Sequence, residues 1–172
     1  MFKSADAALR WAFQVMATDI VKLSSINRMR GSEGNSEMSP HERHAQAAMI
    51  IKMIERTIDP VGMAYIMARY GRELQNGEHA TAVAVALSTT VIGTFPTGMH
   101  NRRGVMRMIE VYFGKDIAMK SLQTGLGGCS NRRYYEYKDW INKALDQIHL
   151  RALDAVHRAL DDSSLIIKDE SA

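Results

Sequence analysis

Apolar residues recur at intervals of three and four along most of the chain, a pattern that predicts α-helices. In the N-terminal part, breaks rich in Gly, Ser, Asn and Pro separate the periodic segments. The segments predict four helices, at about residues 4–21, 40–57, 60–70 and 78–92. Residues 24–38 have no periodicity, which predicts a loop between the first two helices.

Local signals mark the starts of two of these helices. Ser39, Pro40 and Glu42 match a capping box, in which the serine caps the first turn and the glutamate binds back to the cap. Asp59 followed by Pro60 repeats the combination of cap and proline. The fourth segment contains the alternating run VAVAL, so a strand is an alternative there. A buried helix is favoured because alanine is a poor strand residue and no other segment offers a partner strand.

Three residues of the first two helices have more than one interpretation. Trp11 lies off the centre of the apolar stripe of its helix, so it is either a core residue or an interface anchor, and we favour the core. His41 and His44 share one face of a first helical turn. They lack a third ligand nearby in the sequence, so solvated histidines are favoured over a metal site.

The C-terminal part predicts a unit of three helices. The first spans about residues 99–114 and the second is a short helix that carries Leu122 and Leu126 four positions apart. Gly127 and Gly128 are expected to end the short helix in left-handed conformations, and Ser130 to cap the next. That last helix continues without Pro or Gly to about residue 160.

Helix, glycine turn and helix in this order predict a helix-turn-helix. In a DNA-binding helix-turn-helix the first residues of the second helix meet base edges, and here they are Asn131, Arg132, Arg133 and Tyr134. The motif also has apolar residues at fixed positions on both helices. If the turn contains one extra residue, these positions are occupied by Leu122, Leu126, Cys129, Tyr134 and Tyr137. The alternative is an ordinary helical hairpin whose Arg and Lys residues form a solvated face.

The last helix also carries an apolar stripe beyond its basic first turns, formed by Ile141, Leu145, Ile148, Ala152, Ala155 or Val156, and Ala159 or Leu160. The helix is longer than the core of a small domain requires. Either the N-terminal helices pack along this stripe or another chain does. We therefore expect self-association, with a homodimer as the favoured form.

Composition agrees with an all-α fold. The chain has 172 residues, 46% hydrophobic content, only three prolines and 7% aromatic residues, which suits a helical core of single-domain size. We predict a multi-helix bundle with a C-terminal helix-turn-helix and a long terminal helix. Its expected organisation is a helical core over residues 1–97, the helix-turn-helix region over 98–162 and a flexible tail over 163–172.

Cys129 is the only cysteine, which excludes a disulfide or a cysteine-based zinc cage within one chain. The first residues carry charges within their apolar run and no cleavage site, and no apolar stretch reaches membrane-spanning length. We expect a cytoplasmic protein that does not contact a membrane.

Charge is uneven along the chain. Residues 98–143 contain nine Lys and Arg but four Asp and Glu, a net +5, whereas the rest has 13 bases and 15 acids, a net −2. A basic segment on a nearly neutral body is typical of proteins that contact phosphates.

Catalysis is not indicated, because a P-loop, a nucleophile elbow and a dinucleotide fingerprint are all missing. The single acids of the basic segment are better explained by ion pairing. We predict no enzyme, no cofactor and no metal; a helical protein-interaction domain is the alternative to DNA binding.

The segment LGGCSNRRYYEYKDWINKALDQI resembles the C-terminal part of phage and prophage transcription regulators of the late-gene antitermination type, whose helix-turn-helix is similar to the promoter-binding region of sigma factors. The resemblance spans about residues 98–160, but the double-glycine turn and the lack of a cysteine-based zinc motif differ from that pattern. It implies double-stranded DNA and RNA polymerase as partners, and recognition positions at Asn131, Arg132, Arg133 and 135–138. Together with the charge pattern it gives a candidate DNA-binding set of Arg102, Arg103, Lys115, Lys120, Ser130, Asn131, Arg132, Arg133, Tyr135 and Lys138.

Overall fold

A computed structural model describes residues 2–22, 38–71, 77–95 and 101–165 of the chain. Within these residues the fold is all-helical, as predicted, and comprises seven α-helices. They are α1 (Ala5–Lys22), α2 (Pro40–Thr57), α3 (Pro60–Tyr70), α4 (Gly77–Gly93), α5 (Arg102–Tyr112), α6 (Met119–Gly125) and α7 (Asn131–Asp162). The segment VAVAL lies inside α4, so the helix prediction was right there. The loop predicted over residues 24–38 lies almost entirely outside the described residues.

The predicted caps explain where α2 and α3 begin. Ser39 Oγ accepts from the backbone N–H of Glu42, and the Glu42 carboxylate accepts from the Ser39 N–H at 2.7 Å, which completes the capping box. The Asp59 carboxylate accepts from the Gly62 N–H at 2.7 Å in the same way at the start of α3. Each such cap satisfies backbone donors that would otherwise lack partners in the first turn.

The chain forms two compact units, and the first comprises Met1–Ile58 and Leu153–Ala172. In it α1 packs on α2. Its buried residues come from both helices and from the end of α7, and include Ala8, Leu9, Ala12, Phe13, Ala47, Ile50, Ile54, Val156, Ala159 and Leu160. Trp11 is half-buried and its ring lies 5.3 Å from that of Phe2. Phe2 also donates its backbone N–H to the carbonyl of Leu165 at 2.8 Å, so the chain just after α7 is held by a backbone contact.

The second unit, Asp59–Ala152, contains α3 to α6 and the first two thirds of α7. Consecutive helices from α3 to α6 pack on one another around a core that includes Tyr65, Leu87, Val91, Val105, Ile109, Leu122, Ile141, Leu145 and Ile148. The units therefore divide the chain after Ile58 rather than near residue 97. Composition and charge change at about residue 98, but the apolar faces of α3 and α4 belong to the same core as that of α5.

The apolar stripe of α7 is buried within the chain. Ile141, Leu145 and Ile148 lie in the core of the second unit, and Val156 and Leu160 in that of the first. The first of the two alternatives for this stripe is therefore the observed one, and the stripe leaves no exposed seam for another chain. Among the described residues no helix combines the length and the apolar character needed to cross a membrane.

Candidate nucleic-acid interface

The first turn of α5 lies directly against the last turn of α6. A Cβ atom on Gly104 would stand 2.7 Å from the carbonyl oxygen of Gly125 and 2.7 Å from Cδ2 of Leu126, so only glycine allows this approach. Asn101 caps α5 by accepting from the Gly104 N–H at 3.1 Å. The contact fixes the end of α6, which is where the candidate turn begins.

The turn after α6 depends on two glycines in the left-handed region. Gly127 has φ +89° and Gly128 has φ +77°, as the sequence predicted. Their N–H groups donate to the carbonyls of Thr124 and Gln123, at 3.0 Å and 2.8 Å, which satisfies acceptors at the end of α6. A side chain at either glycine would meet no atom within 4 Å, so the requirement for glycine comes from the backbone conformation alone.

The start of α7 is tied both to its own cap and to α6. Ser130 Oγ accepts from the Arg133 N–H at 3.3 Å, which confirms the predicted cap. The side chain of Asn131 accepts from the Gln123 amide at 2.7 Å, a bond that links the first residue of α7 to α6. The orientation of the two helices is therefore supported by a side-chain bond as well as by the turn.

The apolar positions predicted for a helix-turn-helix do pack together. Leu122, Leu126 and Tyr134 are buried in the core of the second unit, and Cys129 and Tyr137 are partly buried against it. Burial raises the pKa of the Tyr134 hydroxyl above its ordinary value. Residues of α5, α6 and the first turns of α7 therefore belong to the same core, together with residues of α3 and α4.

A single carboxylate, Glu136, holds both arginines of the first turn of α7. Arg132 Nε lies 3.2 Å from Oε1 of Glu136, and Arg133 Nη1 lies 3.0 Å from Oε2. The hydrogen bonds from Arg133 and Arg132 lower the pKa of the Glu136 carboxyl below its ordinary value. The Arg132 side chain is 91% exposed and that of Arg133 is 52% exposed, and the Arg133 guanidinium lies over the ring of Tyr137 at 5.7 Å.

Two further candidate residues occupy the exposed side of the same helix. Tyr135 is 58% exposed, which is unusual for an aromatic residue, and Lys138 follows one turn later and is also exposed. Residues three and four apart on a helix are neighbours. Arg132, Tyr135 and Lys138 therefore form a continuous exposed ridge on α7, which we call the α7 ridge.

The other candidates are all exposed but are less closely grouped. Arg103 lies in the first turn of α5, and Arg102 donates to Thr89 Oγ1 of α4 at 2.6 Å. Lys115 pairs with Glu110 at 3.0 Å, near the far end of α5, which is ~15 Å long. Lys120 lies in the first turn of α6. Arg103, Lys120 and Lys138 have no ion-pair partner among the residues that the structure describes.

Some residues of this region were not identified from the sequence. Gly104 and Gly125 were overlooked, although each is a glycine within a helical pattern, a signal for close packing. The bond between Gln123 and Asn131 joins residues eight apart across a turn, and no simple spacing rule indicates it. The ion pairing predicted for the acids of this segment is confirmed for Glu110, Glu136 and Asp139.

The described residues contain no group of three or more His, Cys, Asp or Glu side chains placed to hold a metal ion. No family model matches the chain, and no curated protein is significantly similar to it.

Proposed function

We propose that the protein binds double-stranded DNA, with α6 and α7 as a helix-turn-helix and the first turns of α7 in the major groove. The observation that carries this proposal is the α7 ridge, a set of exposed cationic and aromatic side chains on the first turns of a helix whose start is fixed by its neighbours. Helices that enter the major groove use side chains at this position.

The chemistry of the ridge suits a DNA duplex. Arginine presents a planar fork of donors that matches guanine edges and phosphates, and an arginine that contacts a base contributes about 1–3 kcal/mol of discrimination. Tyr135 offers an apolar ring for a thymine methyl group, and Lys138 a cation for a phosphate. Arg103, in the first turn of α5, is a further exposed cation of this unit.

The resemblance noted in the sequence supports a narrower form of the proposal. In that form the protein is a transcription regulator of the phage or prophage late-gene antitermination type and acts on RNA polymerase. A homodimer belongs to the same proposal, because paired helix-turn-helix proteins contact two half-sites. It would need a surface other than the apolar stripe of α7, which is buried within the chain.

The test compares two variants that remove the same charge from α7. Arg132→Ala/Arg133→Ala truncates the first turn, and Arg151→Ala/Arg158→Ala removes two exposed arginines farther along the helix. Mobility-shift titration at low salt should give a loss of about tenfold or more for the first variant and little change for the second. Equal losses for both variants, or no binding by the wild-type protein, would refute the proposal.

A helical protein-interaction domain is the second candidate, and one observation favours it. Three of the four acids in the basic segment pair with its bases, so four of its nine bases are engaged by acids of the same segment. Retention on a DNA column separates the two candidates, since binding to phosphates weakens steeply with salt. A protein that is never retained at low salt favours the interaction domain.

A further inference from the structure

Glu136 occupies an unusual position for an acid on a proposed DNA-binding surface. It lies one turn after Arg132 and Arg133 and accepts from both, with a different oxygen for each guanidinium. Arg132 uses only Nε and Arg133 only Nη1 in these contacts. Each arginine therefore keeps further N–H donors that do not point at the carboxylate.

The pairing changes what the two arginines can bind. Two cations with one shared anion carry a net charge of +1 instead of +2, which weakens their attraction to any phosphate. A phosphate attracts mainly by charge and so must compete with Glu136 for the same guanidinium groups. A guanine edge needs two donors in a fixed plane, and an arginine already held at one nitrogen can supply them.

We propose that Glu136 is a specificity-determining residue, which restrains Arg132 and Arg133 from binding the phosphates of DNA of arbitrary sequence. The inference rests on the proposed function, because it concerns the same surface. Glu136 would then have a role opposite to that of the arginines, because it keeps non-specific affinity for DNA low while it holds the two guanidinium groups in place.

Glu136→Gln removes the charge but keeps the shape and one acceptor oxygen. The probe is a duplex of random sequence, titrated at several salt concentrations by fluorescence anisotropy. We expect the variant to bind this duplex about three- to tenfold more tightly than the wild type, with a salt dependence steeper by up to about one unit.

Asp154→Asn is the matched control. It makes the same change in net charge on the same helix. It also removes the acid of an ion pair between residues four positions apart, since Asp154 pairs with Arg158. It should alter the affinity for the random duplex by less than about twofold, because Arg158 is not part of the α7 ridge. Thermal unfolding of each variant checks that the fold is retained.

Each outcome separates the inference from the proposed function. Suppose that the wild type binds the duplex and Arg132→Ala/Arg133→Ala does not. Equal affinity of Glu136→Gln and the wild type then overturns the inference alone. Weaker binding by Glu136→Gln also overturns it, since the acid would then only orient the arginines. An equal gain in affinity for the duplex by Asp154→Asn also overturns the inference, because net charge alone would then explain the effect. If none of these proteins binds the duplex at low salt, the proposed function fails and the inference fails with it.

Discussion

Replacing Gly104 with alanine tests whether the contact between α5 and α6 supports the helix-turn-helix. The new Cβ would lie 2.7 Å from the Gly125 carbonyl oxygen, about 0.7 Å closer than the 3.4 Å at which ordinary contacts begin. The obstructing atom belongs to the backbone, so no rotation of a side chain relieves the overlap. Helix α5 or α6 must move instead.

The expected loss follows from two opposing effects. Alanine within a helix is favoured over glycine by roughly 1 kcal/mol, because it restricts the unfolded chain. Overpacking of a close helix contact costs about 1–3 kcal/mol, and the upper part of that range applies when the obstruction is backbone. We expect a net destabilisation of about 1–2 kcal/mol, or a fall in Tm of roughly 2–8 °C for a chain of this size.

Gly125→Ala is the matched control because it adds the same methyl group to the other side of the same contact. Its nearest atom, Gly104 Cα, would be 3.8 Å away, which is ordinary van der Waals distance. Its Tm should stay within about 2 °C of the wild type. Urea unfolding followed by circular dichroism gives the free energies of both variants. A Gly104→Ala protein as stable as the wild type, or an equal loss in Gly125→Ala, would refute the assignment of the contact.

Two further changes test the turn and the core. Gly127→Ala/Gly128→Ala places two Cβ atoms at positive φ, where each costs about 1 kcal/mol. If the turn orients α7, DNA affinity should fall by more than stability. A lower Tm with unaltered affinity would exclude the helix-turn-helix. Tyr112→Phe removes the hydroxyl that lies 3.0 Å from the hydroxyl of buried Tyr65, and should cost about 1–3 kcal/mol in urea unfolding. Tyr135→Phe, on an exposed ring, should cost less than about 0.5 kcal/mol, and equal losses would contradict this account.

The helices could be predicted because their signals are local. Ser39 and Glu42 specify the start of α2 within four residues, and Asp59 does the same for α3. Gly127 and Gly128 indicated a left-handed turn for the same reason, since the cost of positive φ depends on the residue itself. Such features need no knowledge of what the helix packs against.

The assembly of the helices could not be predicted in the same way. The contact of Gly104 with Gly125 joins helices whose residues are 21 positions apart, and the sequence gives no measure of their distance. The Gly- and Pro-containing break over residues 93–98 and the basic segment after it predicted a boundary near residue 97, whereas the core follows the apolar faces, which join α3 and α4 to α5. Glu136 has the spacing of an ion-pair partner for Arg132 and for Arg133, yet only the structure indicates that it serves both at once.

These contacts restrict the backbone and the side chains of the proposed interface by different means. Packing of Leu126 and the bond between Gln123 and Asn131 position the start of α7, so the proposed binding of a duplex should involve little backbone adjustment. The arginines are restrained by Glu136, and Arg133 also by the ring of Tyr137, at an exposed site where ion pairs are weak and exchange readily. A rigid helix with exchangeable side chains favours rotamer changes over backbone movement on binding. Changes to the turn should therefore alter affinity through geometry, whereas changes at Glu136 should alter it through charge, and the salt dependence of binding distinguishes the two.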